Sequence, residues 1–196
     1  FVNHIPKIQR VIFDLKSGGE QKLEFDMDAI YSVAWSPDGE RLAFQGIKGD
    51  QSDIYLYELK TRDLVNITDD IFSDHDPQWG LDNRTIYFVS DRRDNPVRTT
   101  NRRNILVWNY NYHSSDIYSI QLDGRGLTRI TNTPTIIEKS PTPGSGGNLL
   151  YISDRSGINN IYLRDSSGAT RVLTNSISGI DQLALSGDNS KLLFNA

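Results

Sequence analysis

The side chains most able to do chemistry lie in three places along the chain. Asp69, Asp70, Asp74, His75 and Asp76 crowd one short stretch, and several carboxylates together are what a hard cation such as calcium selects. Their spacing is not that of an EF-hand loop, and Pro77 follows at once. The stretch therefore reads as a solvated connection between two structural units, with no metal assigned. Ser145 sits in Pro143-Gly144-Ser145-Gly146-Gly147. A nucleophile elbow needs glycine two residues before the serine, and Pro143 stands there instead. His4, His75 and His113 are scattered, and no H-E-x-x-H pattern places two of them on one helix face. Gly144–Gly147 does not precede a Lys and a helix, as a phosphate loop would. No catalytic residue, metal ligand or cofactor is expected.

The third place is more individual. Arg92, Arg93, Arg98, Arg102 and Arg103 are followed by Trp108, Tyr110, Tyr112 and His113. Arg, Trp and Tyr dominate binding hot spots because they join a large contact area to a polar handle. Arg98, Arg102, Arg103, Trp108, Tyr110 and Tyr112 are thus candidate partner-binding residues. The alternative is structural: alternation in Trp108-Asn109-Tyr110-Asn111-Tyr112 suits an added strand that covers an edge of its own sheet. The net charge of −4 speaks against broad nucleic-acid binding. There is no cysteine, hence no disulfide, and no apolar run of the length a membrane helix needs.

These groups must be positioned by something, and the chain shows what. Trp35 opens WSPDGERLAF, Trp79 opens WGLDNRTIYF, Pro143 opens PGSGGNLLYI and Leu185 opens LSGDNSKLLF. Each time a polar turn leads into an apolar segment that ends nine residues on, at Phe44, Phe88, Ile152 and Phe194. Strands beginning Ile54-Tyr55, Ile117-Tyr118 and Ile161-Tyr162 follow, and then short strands ending at Thr68, Thr131 and Thr174. Runs of Ile, Val, Tyr and Phe bounded by Gly, Pro, Asn and Asp are strands, and Asp38-Gly39 is a hairpin signal. The openings stand 44, 64 and 42 residues apart. The long interval has a local cause: Lys48 to Ile54 and Arg155 to Ile161 are six residues, but Arg92 to Ile117 is 25. An insertion of about nineteen residues, spanning 93–115, accounts for it.

A four-stranded unit of this size cannot bury both faces alone, so copies must stack. The expected fold is all-β: a β-propeller of four-stranded antiparallel blades. Its parts are a half-blade at 1–28, blades at 29–72, 73–135 and 136–178, and a half-blade at 179–196. The chain reads as part of a larger ring, and of a longer polypeptide. The alternative is a closed four-bladed ring in which the two half-blades join. Trp35 and Trp79 are expected to pack between blades and Asp38 to hold its turn. Ser90-Asp91-Arg92 and Ser153-Asp154-Arg155 are expected to cap turns, with each Arg in a surface ion pair.

WSPDGERLAF, IYLYEL, LVNIT, TIYFVSDR and DIYSIQLDGRGLTRIT resemble the propeller repeats of the TolB-like family, the periplasmic component of the Tol–Pal system. Similar repeats form non-catalytic propellers in tricorn-type and prolyl-oligopeptidase-type peptidases. The resemblance covers roughly residues 10–196. At the third and fourth openings PGSGG and LSGD replace WSPDG. The resemblance implies a non-enzymatic scaffold that binds a protein or peptide in the bacterial envelope. It equally admits a propeller that gates a hydrolase elsewhere in the same polypeptide. No nucleic acid, membrane insertion or cofactor is implied, and the shared motif residues are structural.

Overall fold

The computed structural model describes residues 8–93, 95 and 114–195. Among these described residues, sixteen strands form five antiparallel sheets. β1 (Ile8–Phe13) and β2 (Glu20–Phe25) form a two-stranded sheet. Next come β3 (Ala29–Trp35), β4 (Arg41–Lys48), β5 (Gln51–Glu58) and β6 (Leu64–Asn66) in that spatial order. β7 (Asp74–Trp79), β8 (Thr85–Ser90), β9 (Asp116–Gln121) and β10 (Thr128–Arg129) repeat the meander. So do β11 (Glu138–Pro143), β12 (Leu149–Ser153), β13 (Asn160–Arg164) and β14 (Thr170–Val172). β15 (Leu183–Leu185) and β16 (Leu192–Phe194) form a last pair. The all-β, four-stranded antiparallel architecture expected from the repeat is present.

The recurring sequence phrases have recurring physical jobs. In the first hairpin turn the Asp38 carboxylate accepts bonds from the Ser36 hydroxyl at 2.5 Å and the Glu40 N–H at 3.0 Å. Gly39 takes φ +74°, the left-handed backbone that glycine tolerates. Asp188 repeats the arrangement with Ser186 and Ser190. The third turn is built differently: a single 3-10 turn at Ser145–Gly147 makes it one residue shorter. Pro143 therefore pairs with Leu149, where Trp79 pairs with Ile86. Tyr151, rather than Ile152, consequently stands where Phe88 stands in its own sheet.

The Thr that ends each outer strand is also explained. Thr68, Thr131 and Thr174 bond through their hydroxyls to Asp53, Asp116 and Asn160. The same hydroxyls accept the N–H groups of Ile54, Ile117 and Ile161 at 3.0, 2.9 and 2.9 Å. Each outer strand is thus tied to the start of the strand beside it.

Four apolar cores lie between sheets rather than within them. The largest joins Ala34, Ala43 and Ile54 of one sheet to Trp79, Ile86 and Phe88 of the next. Burying a side chain of this size contributes roughly 1.5–3 kcal/mol. The Trp79 indole N–H donates to the Ala34 carbonyl at 3.2 Å. Trp35, expected to pack likewise, is half exposed. Among the described residues, the sheet ahead of it consists of β1 and β2, without an inner strand like the one β3 offers to Trp79. No helix among the described residues is long and apolar enough to cross a membrane.

Candidate functional site

The innermost strands of four sheets converge on one cleft of about 570 Å³. β3 supplies Ser32 and Val33; β7 supplies Asp76 and Gln78. Ser140 and Thr142 come from β11, and Leu183 and Phe194 from the last pair. Three of these strands share a defect in pairing. Register slips between Tyr31 and Ala34, between His75 and Gln78, and between Lys139 and Thr142. Within each slip one residue is left-handed: Ser32 at φ +47°, Asp76 at +51° and Ser140 at +55°. None is glycine, so each stores strain, of order 1–3 kcal/mol. A bulge re-aims its side chain away from the ladder, and here all three are aimed at the same space.

The three bulges are joined. The Ser32 hydroxyl donates to the Asp76 carboxylate at 2.9 Å. The Ser140 N–H also lies near the Asp76 carboxylate without reaching bonding geometry, and His75 Nδ1 stands 3.5 Å from it. These contacts, His75 foremost, hold the Asp76 carboxyl below the usual carboxylate range against the opposing effect of burial. The group is therefore an anion at neutral pH.

The acidic stretch ahead of β7 is not the solvated connection its composition suggests. Asp70 and Asp74 are buried, and so is the whole of Arg92. The Arg92 guanidinium bonds Asp70 at 2.9 Å and Asp74 at 2.6 and 2.7 Å, and its Nε bonds Ser90. It also lies over the rings of Phe72, Phe88 and Tyr118. The expected surface pair is thus a core element, because the linker turns Asp70 inward beside Asp74 at the start of β7, and both meet the guanidinium. Burial, then the nearby Asp74 charge, pushes the Asp70 carboxyl up to about 7. Burial also raises Asp74, opposed by Arg92. Oxygens of Asp53, Asp70 and Asp74 approach within 4.8 Å of one another. Asp70 and Asp74 are engaged with the guanidinium, so a cation would have to displace Arg92.

Arg93, the first residue of the insertion, is bonded to a residue of this cluster. The Tyr118 hydroxyl donates to the Arg93 carbonyl at 2.6 Å. Arg98, Arg102, Arg103, Trp108, Tyr110 and Tyr112, the candidate partner-binding residues, lie outside the described residues, as do His4 and His113. Ser145 is held in its 3-10 turn, with its N–H bonded to Asn189.

Sequence reasoning did not find the bulge residues. A signal existed: three positions before each opening residue stand Ser32, Asp76, Ser140 and Gln182. Ser32, Asp76 and Ser140 are polar side chains within inner strands, and Gln182 directly precedes the inner strand of the last pair.

Comparison with known proteins agrees with this architecture. The sequence profile of the TolB beta propeller domain matches residues 1–99, half of the chain. The uncharacterized peptidase YuxL of Bacillus subtilis (strain 168) is 27% identical over 134 residues, 64% of this chain and 18% of that protein. The structure of TolB from Acinetobacter baumannii superposes with a TM-score of 0.71 at 23% identity, covering 95% of this chain and 42% of that one. The tricorn protease gives 0.72 at 15% identity, covering 96% and 22%. The chain thus spans less than half the length of each of these three proteins. It belongs to the TolB β-propeller domain family.

Proposed function

We propose that this TolB-family propeller is a non-catalytic binding module that admits a protein or peptide segment to the cleft between its inner strands. The observation that carries the reading is the convergence of Ser32, Asp76 and Ser140, three strained bulge residues from three sheets, on one cavity. Strain kept at equivalent places in separate sheets is a mark of function more than of stability. The cleft joins polar groups to an apolar wall of Val33, Leu183 and Phe194, as peptide-sized sites do. Within this proposal Arg98, Arg102, Arg103, Trp108, Tyr110 and Tyr112 form a second contact on the insertion. The proposed setting is the bacterial envelope, in keeping with the family.

A second reading is favoured by YuxL and the tricorn protease: the same module gates the path of peptides to a hydrolase in a longer polypeptide. Both readings place a peptide chain at the cleft. They part on the neighbouring sequence, where an α/β segment with G-x-S-x-G would mark the gate.

A photoreactive amino acid placed at Val33 or Gln182, inside the cleft, tests the common element. Cross-links to a discrete partner are expected from these sites and not from Val172 on the outer strand. Cross-linking from Val172 alone would place binding on the rim and sink the cleft reading. Trp108→Ala or Tyr110→Ala should weaken capture with little change in thermal unfolding. A large loss of stability would make those aromatics core residues.

A further inference from the structure

We propose that the cleft selects a segment by a positive charge, an ammonium or guanidinium group that pairs with Asp76. The inference rests on the reading that a peptide enters the cleft, and it names what that peptide must carry. Among the described residues that line the cavity, Asp76 is the only formally charged one. Its neighbours there are Gln78, Gln182 and Asn195, which are neutral, and the apolar groups of Val33, Leu183 and Phe194. A single charge between low-dielectric walls focuses its field on the cavity.

The surrounding cations do not cancel that charge. Lys139, the counterpart of His75 in β11, is bonded to Asp181 at 2.9 Å. Arg92 is spent on Asp70 and Asp74. His75 is the adjacent titratable group, and it is a third exposed. The Ser32 hydroxyl bonds Asp76 Oδ1, while Oδ2 has His75 Nδ1 at 3.5 Å, longer than an ordinary N–H···O bond. A carboxylate offers about four lone-pair directions, so Asp76 keeps acceptor capacity toward the cavity. The bulge fixes where it points, and the ligand therefore meets an oriented anion. Charge-assisted bonds to such a group are roughly twice as strong as neutral ones.

The test is an amide NMR titration of the 196-residue chain with three tripeptides. They are acetyl-Leu-Arg-Leu-amide, acetyl-Leu-citrulline-Leu-amide, and Leu-citrulline-Leu-amide with a free α-amine. At low salt the arginine peptide, the free-amine peptide or both should bind about tenfold more tightly than the neutral one, as expected for a charge-assisted bond. Shifts should centre on Ser32, Asp76, Ser140 and the Gln78 side chain. Whichever cationic peptide leads identifies a side-chain or a chain-end charge as the feature read. Asp76→Asn keeps the shape and suits the left-handed backbone; it should erase the preference and leave the neutral peptide's affinity in place. Gln78→Lys, at an exposed site without strain, should reject both cationic peptides.

Equal binding of all three peptides at the cleft, or a preference that survives Asp76→Asn, would overturn charge selection and leave the peptide reading standing. Shifts confined to other surfaces, or none at millimolar peptide, would overturn both.

Discussion

The tripeptide Ser-Asp-Arg ends the second strand of two neighbouring sheets, and the two copies end in different environments. In both, the aspartate does the same work: Asp91 accepts the Ser73 N–H and Asp154 accepts the Ile137 N–H, each at 2.9 Å. Those bonds fasten each turn to the linker that enters its inner strand. The arginines diverge. Arg92 is wholly buried, with two carboxylates, one serine and three aromatic rings around it. Arg155 keeps a third of its side chain in solvent, with one bond of 3.0 Å to Glu138 and a stack on Tyr162. The acid on the inner strand is present in each case, since Asp74 pairs with Ser90 as Glu138 pairs with Ser153. The linkers differ. The first carries Asp70 inward, and the second brings Thr133, whose hydroxyl approaches Asp116. Burial of an arginine is thus decided two strands away from it, by whether a second carboxylate arrives.

The first sheet shows a third solution. Ile30 pairs with Gly46 at the place of Asp74 and Ser90, and a Cβ on Gly46 would meet Tyr55 and Met27 at 2.6–2.7 Å. Apolar packing there fills the space that charge fills next door. This frames the largest expected effect. Arg92→Ala leaves two buried carboxylates without a counter-charge and should cost about 3–5 kcal/mol. In a thermal melt that is a fall of roughly 6–20 °C for a domain of this size. The combination Arg92→Met, Asp74→Ile, Asp70→Thr copies Ile30 and Thr133 and removes the charges together. It should recover to near wild-type stability, because a buried ion set replaced whole by apolar groups is often neutral or better. A combination as unstable as Arg92→Ala would show that the cluster is more than charges cancelling one another.

The next effect is a difference in pH response between the two interfaces. With the Asp70 carboxyl at about 7 in the folded chain and at its ordinary value near 3.8 when unfolded, the native state holds a proton that the unfolded state has released. Stability from this group is then present in full below pH 4 and declines as pH rises toward 7. Asp70→Asn should flatten the melting temperature against pH across that window relative to wild type. The window should persist in Arg155→Ala, which leaves Asp70 untouched. A parallel curve for Asp70→Asn would show that the cluster binds no such proton.

The fold was legible because its signals are local. The turn Asp38-Gly39, the Ile-Tyr strand starts and the closing Thr residues each state a backbone conformation, and their period states the stacking. Register was legible until a turn changed length: the 3-10 turn at Ser145–Gly147 moves Tyr151 by one place, and periodicity alone does not report this. The buried cluster was not legible. Asp69, Asp70, Asp74 and Asp76 look alike in sequence, yet Asp70 and Asp74 are buried while Asp69 is exposed. The distinction depends on Arg92, which arrives from the following hairpin. The cleft was hidden for a related reason. A bulge is a departure from pairing between two strands, and only the recurrence of polar residues at 32, 76, 140 and 182 hinted at it.

Arg155→Ala should cost only about 1–2 kcal/mol. The pair it breaks is partly solvated, and exposed pairs are worth at most about 1 kcal/mol. Glu138, whose carboxyl is already raised by burial, can take up a proton when its partner leaves. A loss near that of Arg92→Ala would mean the two arginines do the same work in spite of their different burial.

The smallest effect falls on two tyrosines and separates the interfaces at the level of one hydroxyl. Tyr118 donates to the Arg93 carbonyl, so Tyr118→Phe should lose about 1 kcal/mol. Tyr151 is equally buried, but its hydroxyl and Glu138 Oε2 have no hydrogen-bond partner among the described residues. Thr131, Thr133 and Arg155 stand nearby without reaching bonding geometry. A buried hydroxyl without a partner is a cost to the folded state. Phe88 already fills the corresponding place in the preceding sheet, so Tyr151→Phe should be neutral or up to about 1 kcal/mol more stable in a denaturant titration. A loss as large as that of Tyr118→Phe would mean that a buried water joins the hydroxyl to Glu138 Oε2. The second interface would then be a hydrated version of the first, with water doing for Glu138 what the inward-turned guanidinium does for Asp74.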